Sequence, residues 1–476
     1  MPSADQPHGS ERPVANGWRS LLRLELLPTL AVLLAGVLMQ SMNVLLLVTI
    51  LPSIVGELGG VAMLSWPASA YLATSIIAAS CAGMLASTVG ARTVYCAGVT
   101  IFAVGALIAS AATAMGWVVI GRLVQGFGGG LEVAVAYVLV RATFPEPLWP
   151  RVIALMSSSW SASVLIGPLV GGMFARFGSW RAAFVATAAI AGCLALGAFF
   201  VLPSTSARAS SVPRVPAARV ALIGLAIGAT SWATIVASPF AKVALILAAV
   251  VALVAMLRLN RSAPAPLLPR DGFSWRTPTG VGLWQVLLLC VTFSPLHIYM
   301  AVFLQRLHGL DPLAAGFAVA TASFAWTVAS LAVAGATGVW RDRLFWTGPA
   351  VMGVSLAGMA LLAPHGPVAW LIGAIALLGV GIGQCWPFIA HHIMESARGV
   401  DAVVAASSVP TVQQMGFALG AALAGLVANA SGLSADADAG MLEAAFFVPA
   451  AFVVPAVLGV LVGLRLQRLR QRLQRG

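Results

Sequence analysis

Charge is what this sequence has least of. Only 8% of its 476 residues are Asp, Glu, Lys or Arg, against 60% hydrophobic, and its mean hydropathy is +0.98. A soluble core cannot hide that much apolar surface, so lipid has to cover it. Lysine is nearly missing: Lys242 stands alone, and arginine carries almost all of the positive charge, a bias that hints at a GC-rich bacterial genome. The five cysteines, Cys81, Cys96, Cys193, Cys290 and Cys385, fall inside apolar runs at spacings that suit neither zinc nor a disulfide framework. They read as small core residues. No glycine loop followed by Lys-Ser or Lys-Thr is present, so ATP-driven pumping has no support. No nucleophile stands near a base in a pattern that supports catalysis either. The chain reads as a non-enzyme that uses no cofactor and no metal. Its first twenty residues are polar and rich in Pro, Gly and Ser, too hydrophilic for a cleavable signal peptide, and are expected to form a cytoplasmic tail.

What is there is a succession of uncharged runs, each close to the ~20 residues that cross a bilayer as a helix. Six come first: Leu30 to Leu51, Met63 to Leu85, Thr93 to Thr113, Trp117 to Val140, Val152 to Ala175 and Ala182 to Leu202. Two shorter runs follow, Val220 to Ala237 and Ala241 to Leu257. The last six are Val281 to Leu304, Ala314 to Ala336, Phe345 to Leu362, Val368 to Ile393, Val403 to Ala428 and Ala444 to Leu464. Fourteen spans put both termini on one side, and the arginines test that count. With the termini inside, the inner segments hold Arg12, Arg92, Arg141, Arg151, Arg208, Arg214, Arg219, Arg258, Arg341, Arg343, Arg398 and the arginines from Arg465 to Arg475, among others. The outer segments hold only Arg176, Arg181, Lys242 and Arg306. The net charge of +12 therefore reports topology, and no nucleic-acid partner is expected. A count of twelve stays open if the two short runs form one re-entrant or interfacial unit.

The expected organisation is a cytoplasmic tail over 1–27, a six-helix bundle over 28–202, a linker with two extra helices over 203–278, a second six-helix bundle over 279–464 and a basic cytoplasmic tail over 465–476. That tail alternates Arg, Leu and Gln, as an amphipathic helix lying on an anionic leaflet would. The halves echo each other. Gly126, Gly128, Gly129 and Gly130 in the fourth span match Gly379, Gly381 and Gly383 in the twelfth, and Gly167, Gly171 and Gly172 match Gly416, Gly420 and Gly425.

Few residues in these spans can carry chemistry. Glu132 is the one acid well inside a predicted span, where a carboxylate costs several kcal/mol unless it is protonated or paired. It is a candidate proton carrier; the alternatives are a fourth span that frays early or a structural pair with Arg141. Arg122 lies ten residues earlier, about 15 Å along a helix, so the two are separate stations. Arg122 serves either coupling or as a hydrogen-bond donor to helix ends or Gln125. Gly167-Pro168 and Gly171-Gly172 permit bending or close helix packing. Trp160 shares a face with Gly167 and suits either a cavity wall or lipid packing. Met39, Gln40, Ser41, Met42 and Asn43 form a soft polar stretch suited to varied substrates or to core packing. His297, His391 and His392 can titrate and assist proton transfer, though no ligand spacing supports a metal.

Four segments carry a family resemblance. Gly121-Arg122-Leu-Val-Gln125-Gly126 resembles a buried-arginine motif, and Gly167-Pro168-Leu-Val-Gly171-Gly172 with Ser179-Trp180-Arg181 resembles an antiporter signature. Phe303-Leu-Gln305 through Gly309, Pro312 and Gly316 forms the third, and Gln413-Gln414-Met-Gly416 with Gly420 the fourth. Together they resemble the drug:proton antiporter branch of the major facilitator superfamily with fourteen spans. The resemblance implies an all-α membrane fold of two six-helix bundles plus two helices between them, in a bacterial inner membrane. It implies proton-coupled export of small amphipathic compounds by alternating access, from a monomer, with a periplasmic adaptor as a further partner in some relatives. It also implies that Arg122 takes part in coupling and that Gly338, Asp342 and Arg343 form the second copy of a cytoplasmic loop motif. Two acids usual in that branch are replaced: Asn43 stands where an aspartate is common in the first span, and Ser87 where the first loop motif has an acid. That leaves two other readings open: export of a specific metabolite, siderophore or lipid of neutral or anionic charge, and a scaffold or sensor that no longer transports.

Overall fold

A computed structural model describes residues 18–59, 66–176, 179–204, 217–236, 238–264, 266–397, 400–432 and 438–475. Arg12, Arg208, Arg214, Arg398 and the start of the second predicted span at Met63 lie outside the described residues.

The uncharged runs all form helices. In chain order they are α1 (Leu27–Leu58), α2 (Trp66–Val89), α3 (Ala91–Ser110), α4 (Met115–Thr143), α5 (Trp149–Arg176), α6 (Trp180–Val201), α7 (Ala217–Ile235), α8 (Pro239–Arg261), α9 (Pro278–Pro295), α10 (Ala301–Arg306), α11 (Pro312–Val333), α12 (Gly338–Leu362), α13 (Val368–Ser396), α14 (Val400–Ala430), α15 (Asp438–Ala451) and α16 (Val453–Arg475). Each of the fourteen expected positions holds a helix, but twelve are long and apolar enough to cross a membrane among the described residues. The expected fourteen crossings are thus supported only as far as twelve. The helices α5 and α7, which run over residues whose side chains lie outside the described set, are not among them.

Two predicted spans are broken where proline removes a backbone donor. The ninth passes from α9 through a π turn over Leu296–Met300 into α10, immediately after Pro295. The last is split between α15 and α16, two residues beyond Pro449. The basic tail is no separate segment either. Its residues continue α16, and Arg470 is buried against Asp342 at 3.6 Å instead of lying free on a leaflet.

Packing repeats between the halves. In the first, α4 lies between α2 and α3, α1 packs on α5 and α6, and α3 packs on α6. In the second, α13 lies between α11 and α12, α9 packs on α14 and α16, and α12 packs on α16. The correspondence α1 with α9, α2 with α11, α3 with α12, α4 with α13, α5 with α14 and α6 with α16 preserves every one of these contacts. The seams between the bundles, α2 with α14 and α5 with α11, exchange under the same correspondence, as a two-fold relation demands. The α7–α8 hairpin packs beside the first seam, α7 against both α2 and α14.

Candidate functional site

Glycine is what lets α4 carry polar groups at depth. A Cβ on Gly121 would meet Ala109 N at 2.6 Å, and one on Gly128 would strike the α3 backbone at Gly98 and Phe102. On the opposite side, Gly126 and Gly130 face the carbonyl oxygens of Tyr71 and Ser75 on α2, equally without room for a side chain. Both neighbours therefore come in backbone to backbone. The stretch between is sealed: Arg122 is 1% exposed, Gln125 and Glu132 0%.

Arg122 is held by three neutral partners. Its Nε donates to the Pro67 carbonyl at 3.3 Å and its Nη1 to Gln125 Oε1 at 2.8 Å, while the guanidinium lies 4.3 Å from the centroid of the Tyr71 ring. Gln125 passes the connection on, its Nε2 donating to Asn43 Oδ1 at 3.1 Å. Asn43 Nδ2 is buried with no hydrogen-bond partner among the described residues. The replaced acid of the first span therefore lies in the same network as the buried arginine, which α1 and α4 build together. An asparagine there accepts a hydrogen bond but supplies no charge to balance Arg122.

Glu132 sits apart from this chain. Neither carboxyl oxygen has a hydrogen-bond partner among the described residues. The Tyr95 hydroxyl stands beside it, close enough that a Cβ on Gly36 would strike both groups, while it donates to the Val32 carbonyl at 3.2 Å. The early-fraying alternative fails because α4 continues eleven residues further, to Thr143. The Arg141 pair fails as well, since Arg141 turns to the Ala397 carbonyl at 3.2 Å and to the Trp149 ring at 5.3 Å. Tyr71 and Tyr95 escaped the sequence reading. Their scarcity was the available signal, with four tyrosines in the whole chain.

The remaining candidates disperse. Met39 is buried in the hydrophobic core, whereas Trp160 is 43% exposed on α5. His297 falls in the π turn, and its side chain lies outside the described residues. Gly167, Pro168, Gly171 and Gly172 fall within the unbroken helix α5, but their packing also lies outside the described residues. Gly338 starts α12 at φ +60°, a conformation that favours glycine. Asp342 pairs with Arg341 at 3.9 Å and with Arg470, while Arg343 is exposed over the Trp340 ring. Ser87 bonds only within its own helix, to the Met84 carbonyl at 2.8 Å. His391 and His392 are both buried near the end of α13.

The residues 33–421 match the family model described as Major Facilitator Superfamily. The chain belongs to that superfamily. It is accordingly a multi-pass membrane transporter and not an enzyme. A probable multidrug-efflux transporter of Mycobacterium tuberculosis (strain H37Rv) is 33% identical over 472 residues, covering 96% of this chain and 98% of the relative. The tetracenomycin C resistance and export protein of Streptomyces glaucescens is 26% identical over 89% of this chain and 79% of its own length. Among solved structures, the human organic anion transporter MFSD10 superposes with a TM-score of 0.69 at 14% identity, covering 93% of this chain and 100% of that one. The proton:xylose symporter XylE gives 0.66 at 13% identity over 91% and 94%. These two likenesses speak to the fold alone.

Proposed function

We propose that this superfamily transporter is a secondary active exporter of small amphipathic compounds, driven by protons, with Glu132 as the proton carrier. The observation that supports this reading is Glu132 itself, a wholly buried carboxyl with no hydrogen-bond partner among the described residues. Such a pocket admits the group in its neutral form. When the bundles exchange arrangements and water reaches α4, the proton can leave, so one turnover carries it across. The rest of the drug:proton antiporter assignment belongs to the same reading. It has fourteen crossings with α5 and α7 included, both termini on the arginine-rich inner side, alternating access about the α2–α14 and α5–α11 seams, and a bacterial cytoplasmic membrane. The efflux names of the relatives support the cargo class.

One observation favours a second reading of the cargo. Arg122 is buried among neutral partners only, and Asn43 withholds the charge an aspartate would bring, so the site favours neutral or anionic compounds over cations. Counterflow of matched cationic, neutral and anionic compounds in proteoliposomes tests both readings. Exchange of any class establishes turnover, and exchange of none returns the scaffold reading. Faster exchange of anions than of cations supports the second reading of the cargo, and the reverse order refutes it.

A further inference from the structure

The arginine-rich end of the molecule holds a cluster that the transport reading does not use. Glu146 lies in a short 3-10 turn between α4 and α5, and His391 and Glu395 lie on α13 in the other bundle. The imidazole of His391 is set between the two carboxylates, its Nε2 3.8 Å from Glu146 Oε1 and its Nδ1 3.7 Å from Glu395 Oε2. One ligand atom from each residue lies within 4.8 Å of the other two. His391 is 3% exposed, and its Nδ1 has no hydrogen-bond partner among the described residues. A cavity of about 230 Å³ opens beside the cluster, lined by Glu146 and His391 together with Arg151, Thr337, Arg341 and Phe388.

We propose that Glu146, His391 and Glu395 form a binding site for a divalent transition-metal ion that bridges the two bundles. His391 and Glu395, four residues apart, project from one face of α13, the spacing at which two side chains of one helix can share a metal. Zinc bonds to imidazole nitrogen and carboxylate oxygen are about 2.0–2.2 Å, which puts ligand atoms of a tetrahedral site about 3.3 Å apart. The 3.7 and 3.8 Å separations involve different ring nitrogens, of which an ion takes one, so the three ligand atoms, within 4.8 Å of one another, close by up to about 1.5 Å on binding. A donor set with one nitrogen and two oxygens suits zinc or manganese, whereas magnesium and calcium prefer oxygen alone. The adjoining cavity supplies a route in and room for a water as a further ligand. Two basic side chains compete for the same Glu395 oxygen, Arg470 with its Nη2 at 3.8 Å and His392 with its Nδ1 at 3.9 Å. Both distances are longer than a hydrogen bond, so the carboxylate can turn toward an ion.

Because Glu146 comes from one bundle and the other two ligands from the other, a bound ion ties the bundles together at this end. The test is zinc titration of the purified full-length chain in lipid nanodiscs, with any histidine tag removed, read by calorimetry. The expected result is one Zn²⁺ per chain at micromolar affinity, unmoved by millimolar Mg²⁺, with His391→Ala and Glu146→Gln each weakening it at least tenfold. Glu146 is exposed in a turn, so Glu146→Gln keeps the test available if His391→Ala does not fold. A zinc-dependent rise in the melting temperature, lost in Glu146→Gln, is expected from binding to the folded form alone. Absence of stoichiometric binding to the folded wild type, or equal affinity in wild type and Glu146→Gln, overturns the proposal.

Discussion

The central helices of the two bundles, α4 and α13, are packed by the same device and furnished differently. On α13, Gly379 and Gly383 face the backbone of Ala322 and Trp326 on α11, and Gly381 faces Gly348 and Met352 on α12. This is the arrangement of Gly126 and Gly130 against α2 and of Gly121 and Gly128 against α3. What the seams enclose differs. α4 buries Arg122, Gln125 and Glu132, whereas the one acid of α13 is Glu395, at its very end. The packing that makes the bundle is thus duplicated, whereas α4 carries its arginine and acid at mid-helix and α13 carries its titratable groups at its end. In the proposed mechanism the symmetric seams serve movement of both bundles, and the polar groups of α4 serve what is moved.

The largest expected effect falls on the shared device. Gly130→Leu and Gly379→Leu each drive a side chain into a facing carbonyl, and overpacking costs about 1–3 kcal/mol or more. Both variants should lose folded protein in fluorescence-detected size exclusion. Tolerance of one and not the other would break the equivalence of α4 and α13. Next comes Gly36→Ala, whose methyl group collides with the Glu132 carboxyl and the Tyr95 hydroxyl. Gradient-driven accumulation should fall about tenfold, about 1.4 kcal/mol, with the melting temperature shifted by only a few degrees. No matching loss is expected from Gly373→Ala on α13, where a Cβ meets nothing within 4 Å.

How much of this was legible in the sequence follows from distance along the chain. The helices showed in hydropathy, and the duplicated packing showed in the glycine echo, since both are local patterns. The bond of Arg122 to Gln125 could be anticipated because the two lie three residues apart on one helix. Its continuation to Asn43 spans 82 residues and exists only once α1 and α4 pack. The surroundings of Glu132 were not legible, because Tyr95 and Gly36 meet it only once α1, α3 and α4 pack. Glu146 and His391 meet across the seam between bundles, so only the His391–Glu395 half of that cluster was readable as helix spacing.

A smaller effect sharpens the account of charge. Asn43→Asp places a carboxylate within the Arg122–Gln125 network, and a buried opposite charge shifts cargo preference toward cations. The ratio of cationic to anionic counterflow should rise by about fivefold, about 1 kcal/mol. An unchanged ratio would show that Arg122 does not set cargo charge. Smallest of all is Ser87→Asp, which restores an acid at a position whose hydroxyl serves only its own helix. Transport should stay within about twofold of wild type, because the Ser87 hydroxyl bonds to the Met84 carbonyl of its own helix.

The central claim is that one buried carboxyl couples proton movement to cargo, and two assays on the Glu132→Gln variant isolate it. Inverted vesicles with an imposed pH gradient report coupled accumulation, and proteoliposome counterflow reports exchange without a gradient. The account predicts that Glu132→Gln, matched to the neutral form of the residue in shape and charge, keeps counterflow and loses gradient-driven accumulation. Full gradient-driven accumulation by Glu132→Gln would contradict it.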